Sequence, residues 1–285
     1  MAVYRRNYTA YSGLLTPTWS RCLVLFRYAR KSVFHSKLLT AFFVLCFFFP
    51  VLCLLIIYLM HNLTFLERAG NIGPLFAIDN RFFFYFVNVQ GAFAFLLTAF
   101  VGPGLISGDL ANGALPLYFC RPFSRTEYIL GKSSVLAILL SEITWIPGCI
   151  LFLAQGSLAG PRWTWDHLWI LASLIVSSLV WITILSLLAM TFSAWVKWRI
   201  VAGALMLAMM FFGVGFAQVV NHVLDTDFGF FFNIGYLMTT IEKAIFQFGE
   251  DSRISVTSAC VGLLAYGSIC LWLLMRKVHA YEVVR

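Results

Sequence analysis
A single carboxylate, Glu142, sits well inside an apolar run, with Ser141 and Thr144 beside it and Pro147 following. An acid at the centre of a membrane helix costs about 2.5–3.5 kcal/mol, so this group must face a packed interior, a cavity or water. Two roles fit: a contact for a substrate or a proton, or a hydrogen-bonded structural group. The other reactive side chains argue against chemistry within the chain. The five His (35, 61, 167, 222, 279) lie outside the apolar runs or at their ends, and no H-E-x-x-H occurs. A buried Ser–His pair for proteolysis has no candidate. The seven Cys (22, 46, 53, 120, 149, 260, 270) show no C-x-x-C spacing and read as small buried hydrophobes, so neither a zinc site nor a disulfide framework is indicated. Gly131-Lys132-Ser133 resembles the end of a phosphate-binding loop, but Thr126 stands where its first glycine is required. This chain has no nucleotide site of that kind.

The elements carrying these residues follow from composition. Of 285 residues 61% are hydrophobic and only 11% charged, which cannot cover a water-soluble surface. Six apolar stretches are long enough to cross about 30 Å of hydrocarbon: residues 39–60, 83–106, 133–157, 168–192, 200–220 and 254–275. Fifteen of the 20 Lys and Arg fall on the side that holds both termini and the loops after spans two and four. Eight of the 12 acids fall on the other side. The positive-inside bias places both termini in the cytoplasm, and it accounts for the net charge of +8 without any nucleic acid. The expected organisation is a cytoplasmic segment, residues 1–38, followed by a six-span domain, residues 39–285.

Three further segments have structure of their own. Thr16-Pro17 opens a basic amphipathic helix carrying Arg27, Lys31 and His35 at four-residue spacing, suited to the membrane interface. After span two, Gly102-Pro103-Gly104 should bend or end the helix. Arg121-Pro122 then makes an extended turn. Ser124 to Glu127 forms a capping box, so a helix begins near Arg125. The third segment, residues 221–253, places Leu237, Ile241, Ile245 and Phe248 on one helical face, with Glu242, Lys243 and Gln247 on its polar side.

The residues Gly102-Pro103-Gly104 through Asp109, then Asn112-Gly113 through Leu117, Arg121-Pro122-Phe123-Ser124-Arg125 and Leu130-Gly131-Lys132 resemble the ABC type-2 permease family. Asp109 stands where that family more often has glutamate. The resemblance implies an all-α membrane fold, with six transmembrane helices and an N-terminal interfacial amphipathic helix. It implies the membrane subunit of an ATP-binding-cassette exporter, not itself an enzyme. ATP and magnesium would be bound by a separate ATPase subunit, and a second permease chain, identical or different, would complete the transporter among membrane lipids. Residues 105–125 would then couple to the ATPase through Asp109, Leu110, Gly113, Leu117, Arg121, Pro122 and Arg125. The competing expectation is an autonomous proton- or ion-coupled secondary transporter using Glu142. Secondary transporters often carry paired broken helices in two repeats, and no second Gly-Pro-Gly break occurs here.

Overall fold
The computed structural model describes residue 27 and residues 34–62, 78–113, 125–248 and 252–277. Among these residues there is no strand. The N-terminal amphipathic helix expected from the sequence lies almost wholly outside them, as do Leu117, Arg121, Pro122 and Ser124. In chain order the helices are α1 (Lys37–Leu45), α2 (Phe48–His61), α3 (Asn80–Val101), α4 (Pro103–Ala111), α5 (Arg125–Ile143) and α6 (Trp145–Ala159). There follow α7 (Pro161–Asp166), α8 (Leu168–Trp195), α9 (Arg199–Leu224), a 3-10 turn (Phe228–Phe232), α10 (Ile234–Ile245) and α11 (Val256–Lys277).

Six helical spans are long and apolar enough to cross a membrane: Lys37–His61, Asn80–Ala111, Thr126–Ala159, Leu168–Trp195, Arg199–Leu224 and Val256–Lys277. Their number and order are those expected from hydropathy. The second span has 32 residues, roughly 48 Å of helix, so its end projects beyond about 30 Å of hydrocarbon.

Spans one and three are not the straight helices that hydropathy suggested. Each is interrupted four residues before a proline, at Cys46 before Pro50 and near Ile143 before Pro147. Proline has no N–H to return to the carbonyl four residues back, which leaves that oxygen unpaired in a place without water. One side chain serves both. The amide nitrogen Nε2 of Gln90, fully buried on α3, donates to the carbonyl of Cys46 at 3.1 Å and to that of Ile143 at 2.6 Å. The carbonyl freed beside Glu142 is therefore taken by Gln90.

The hub of the bundle is α8, which packs against α3, α4, α5, α6, α9, α10 and α11. Its buried residues face several directions and include Ser173, Leu174, Ser177, Trp181 and Leu185. The indole nitrogen of Trp181 donates to the carbonyl of Gly91 at 3.0 Å, tying α8 to α3. In contrast, α9 buries only a narrow stripe, Ala202, Met206, Gly213 and Ala217, and leaves most of its apolar surface exposed.

Candidate functional site
Between α3 and α4 stands a one-residue junction, Gly102, whose backbone is itself helical (φ −55°, ψ −46°), and the junction is rigidly held. Gly102 closes the contact with α8, because a Cβ there would fall 2.5 Å from Cβ of Ala189. Pro103 opens α4, as expected of a residue whose missing N–H has no intrahelical partner at a first turn. From α8, the hydroxyl of Ser193 accepts from the N–H of Ile106 and of Ser107, each at 2.9 Å, and donates to the carbonyl of Pro103 at 2.7 Å. That uses the one donor and two acceptor sites of a hydroxyl. Ser107 donates to the same carbonyl. The start of α4 is thus capped by another helix.

The far end of α4 is fixed to α5. Oδ2 of Asp109 pairs with Nζ of Lys132 at 2.9 Å and accepts from the hydroxyl of Tyr128 at 2.6 Å. Tyr128 and Lys132 are four apart on α5, so they share a face and can hold one carboxylate between them. Tyr128 is fully buried, and the side chains of Lys132 and Asp109 are only 10% and 19% exposed. A charge so shielded is retained only when paired and hydrogen-bonded. The Gly-Lys that resembled a phosphate loop is in fact half of this ion pair.

The expected coupling residues separate accordingly. Asp109 is held inside the chain, and Leu110 packs half-buried against the core. Gly113 is exposed, with Ala111 and Asn112, where the described part of the segment ends, in the left-handed conformation at φ +63° that glycine tolerates. Arg125 is the first described residue of α5, and Ser124 of the expected capping box lies outside the described residues.

No protein-family model matches this sequence, and no curated protein matches it.

A second polar site lies at the opposite end of the bundle, where α10 folds back between α9 and α11. Glu142 is half-buried on α5. The deeply buried carboxyl is instead Glu242 on α10, only 4% exposed, which corrects its expected place on a polar face. Ile234, Met238 and Glu242 follow one another at four-residue spacing, and the first two are buried with it. That second apolar row was visible in the sequence and pointed inward. Oε2 of Glu242 accepts from Nδ2 of Asn88 on α3 at 2.9 Å. Burial pushes its carboxyl up to about 8, against a smaller lowering by the Asn88 bond. Asn80 Nδ2 donates to the carbonyl of Phe246 at 2.8 Å, and Ser173 Oγ to that of Ile245 at 3.1 Å. These bonds satisfy carbonyls left open where α10 ends.

Proposed function
We propose that this chain is the transmembrane permease subunit of an ATP-binding-cassette transporter, moving its substrate outward across the cell membrane with ATP hydrolysed by a separate ATPase subunit. In this reading both termini and the α4 tip face the cytoplasm, and two permease chains, identical or different, form the pathway. The observation that carries it is the bracing of α4 by Asp109, Tyr128, Lys132 and Ser193. A displacement delivered to an exposed tip reaches the spans only if the tip is joined to them stiffly. Here α4 is pinned to α8 at its start and to α5 near its end. The segment 105–125 is the coupling element in this proposal, with Asn112 and Gly113 among its exposed described residues.

Affinity purification in mild detergent tests the reading. A stoichiometric ATPase should accompany the chain, and single cysteines at Asn112 and Gly113 should crosslink to it while cysteines in 67–79 do not. Absence of any such ATPase, together with transport by the chain alone, would overturn it. One observation favours a second reading, proton-coupled secondary transport: Glu242 is a deeply buried carboxyl bonded to Asn88, and burial raises it to about 8. Proton flux through the isolated, reconstituted chain that is lost in Glu242→Gln would support that alternative. The same assay on Glu142→Gln separates the two carboxyls.

A further inference from the structure
At the α4 end of the bundle, where α8 ends, α9 begins and α11 ends, tryptophans and cations gather in one band. Trp195 closes α8, and its indole nitrogen donates to the carbonyl of Leu273 on α11 at 3.3 Å. Nζ of Lys277 lies 5.2 Å from the centre of the Trp195 ring, and the guanidinium of Arg276 lies 5.4 Å from that of Trp272. The connection to α9 adds Lys197, Trp198 and Arg199. Lys197 is two residues from Trp195, which keeps its backbone within about 7 Å of that of Trp195. Arg199 lies against α4, where a Cβ on Gly104 would fall 3.4 Å from its Nε. Among the described residues, none of these four cations pairs with a carboxylate. Asp109, the acid of α4, is committed to Lys132.

We propose that this band binds an anionic phospholipid, with its phosphate among Arg276, Lys277 and Lys197 and an acyl chain along the outer face of α11. The charge class follows from the missing acids. Four cations without carboxylates attract a phosphate, but they repel the ammonium that a zwitterionic headgroup carries beside it. A guanidinium over an indole uses its flat face and keeps its N–H edge for an oxyanion. The membrane source follows from the face of α11 on which Arg276 stands. Val261, Leu264, Ser268, Trp272 and Met275 recur at steps of three, four, four and three, all exposed, and exposed Arg276 completes that same face. An acyl chain lying along this row brings its own phosphate to the guanidinium, whereas a soluble anion gains nothing from the row. Trp195, Trp198 and Trp272 are 47%, 75% and 59% exposed, as indoles at headgroup level are. The positive-inside bias accounts for cations on this side, but not for two of them resting on indoles at the foot of an exposed row. The inference is independent of how transport is driven.

The test uses the full chain in nanodiscs of dioleoyl-phosphatidylcholine doped with dioleoyl-phosphatidylglycerol, with retained lipid measured by native mass spectrometry. Phosphatidylglycerol should be enriched on the parent chain above its share of the bilayer. Arg276→Gln and Lys197→Gln, on different elements, should each weaken that enrichment about fivefold. Melting in pure phosphatidylcholine checks their folding, and either variant suffices if the other fails that check. Arg162→Gln removes an equal charge at the opposite end of the bundle, on α7, and should leave the enrichment unchanged. Absence of enrichment would overturn the inference. So would an equal loss in Arg162→Gln, which would reduce the preference to net charge. Competition by soluble glycerophosphoglycerol at the lipid's own affinity would overturn the membrane source. If Lys197→Gln left lipid retention intact and instead weakened capture of an acidic protein, the band would belong to a protein partner and the inference would fall.

Discussion
Lys132 is held inside the bundle by Asp109, 2.9 Å away, and Tyr128 bonds the same carboxylate. Removing one partner is therefore worse than removing both. Lys132→Met should destabilise the protein by about 3–5 kcal/mol, because it strands the Asp109 charge. The double variant Asp109→Asn with Lys132→Met should recover much of that loss, as read by thermal melting in detergent. Equal melting of the single and double variants would mean that the pair is not coupled. Glu242 makes the pH-dependent counterpart. Its folded carboxyl is raised from 4.5 to about 8, so between those values the folded state binds more protons than the unfolded state. Its contribution is complete below about 4.5, declines as pH rises, and is lost above about 8. Melting measured from pH 5 to 9 should fall more steeply for the parent chain than for Glu242→Gln, which stays neutral throughout.

At the scale of elements, the breaks in spans one, two and three are not weak points, because each is paired by another helix. Gln90 carries the greater share, since one side chain closes two of them. Gln90→Leu keeps the bulk and orphans both carbonyls, at a combined cost of about 1–3 kcal/mol, given that hydrogen bonds within membranes average roughly 0.6 kcal/mol each. Hydrogen exchange should then quicken around Cys46 and Thr144 together, because both junctions lose the same donor. Acceleration at only one junction would refute the shared tie. Ser193→Ala should loosen the start of α4 while leaving those two junctions protected. If α4 couples to an ATPase, the same variant should lower substrate-stimulated hydrolysis in the purified complex more than it lowers melting temperature.

For the whole molecule, the arrangement of spans requires the α4 tip and α10 to lie at opposite ends of the bundle. The proposed orientation puts the α4 tip in the cytoplasm. A cysteine at Asn112 should thus label from the cytoplasmic face, and one at Gln247 from the outside. Same-side labelling would contradict the six-span arrangement, while both sites labelling in reverse would keep the bundle and overturn its orientation. Two exposed regions would then serve the partners proposed above. The tip at Ala111 to Gly113 is small and polar, suited to a docking protein. The apolar flank of α9 is suited to lipid or to a second chain.

The membrane-spanning class, the number of spans and the junction of two helical elements at Gly102 were legible in the sequence, although the span runs on through that junction to Ala111. Each depends on local properties: hydropathy over about 20 residues decides what can cross a bilayer, and proline removes a bond from its own helix. The sequence also contained Pro50 and Pro147, but not the identity of the group that would satisfy their orphaned carbonyls. The row through Leu237, Ile241, Ile245 and Phe248 puts Glu242 on the polar side, whereas the structure also buries the row through Ile234 and Met238. Only the tertiary structure showed that both rows are covered. Asp109, read as a contact for another protein, turned out to be paired with a lysine 23 residues along the chain. Such pairings are decided by packing, because a buried polar group takes whichever partner the neighbouring helices bring within about 3 Å, and sequence separation has no bearing on that distance.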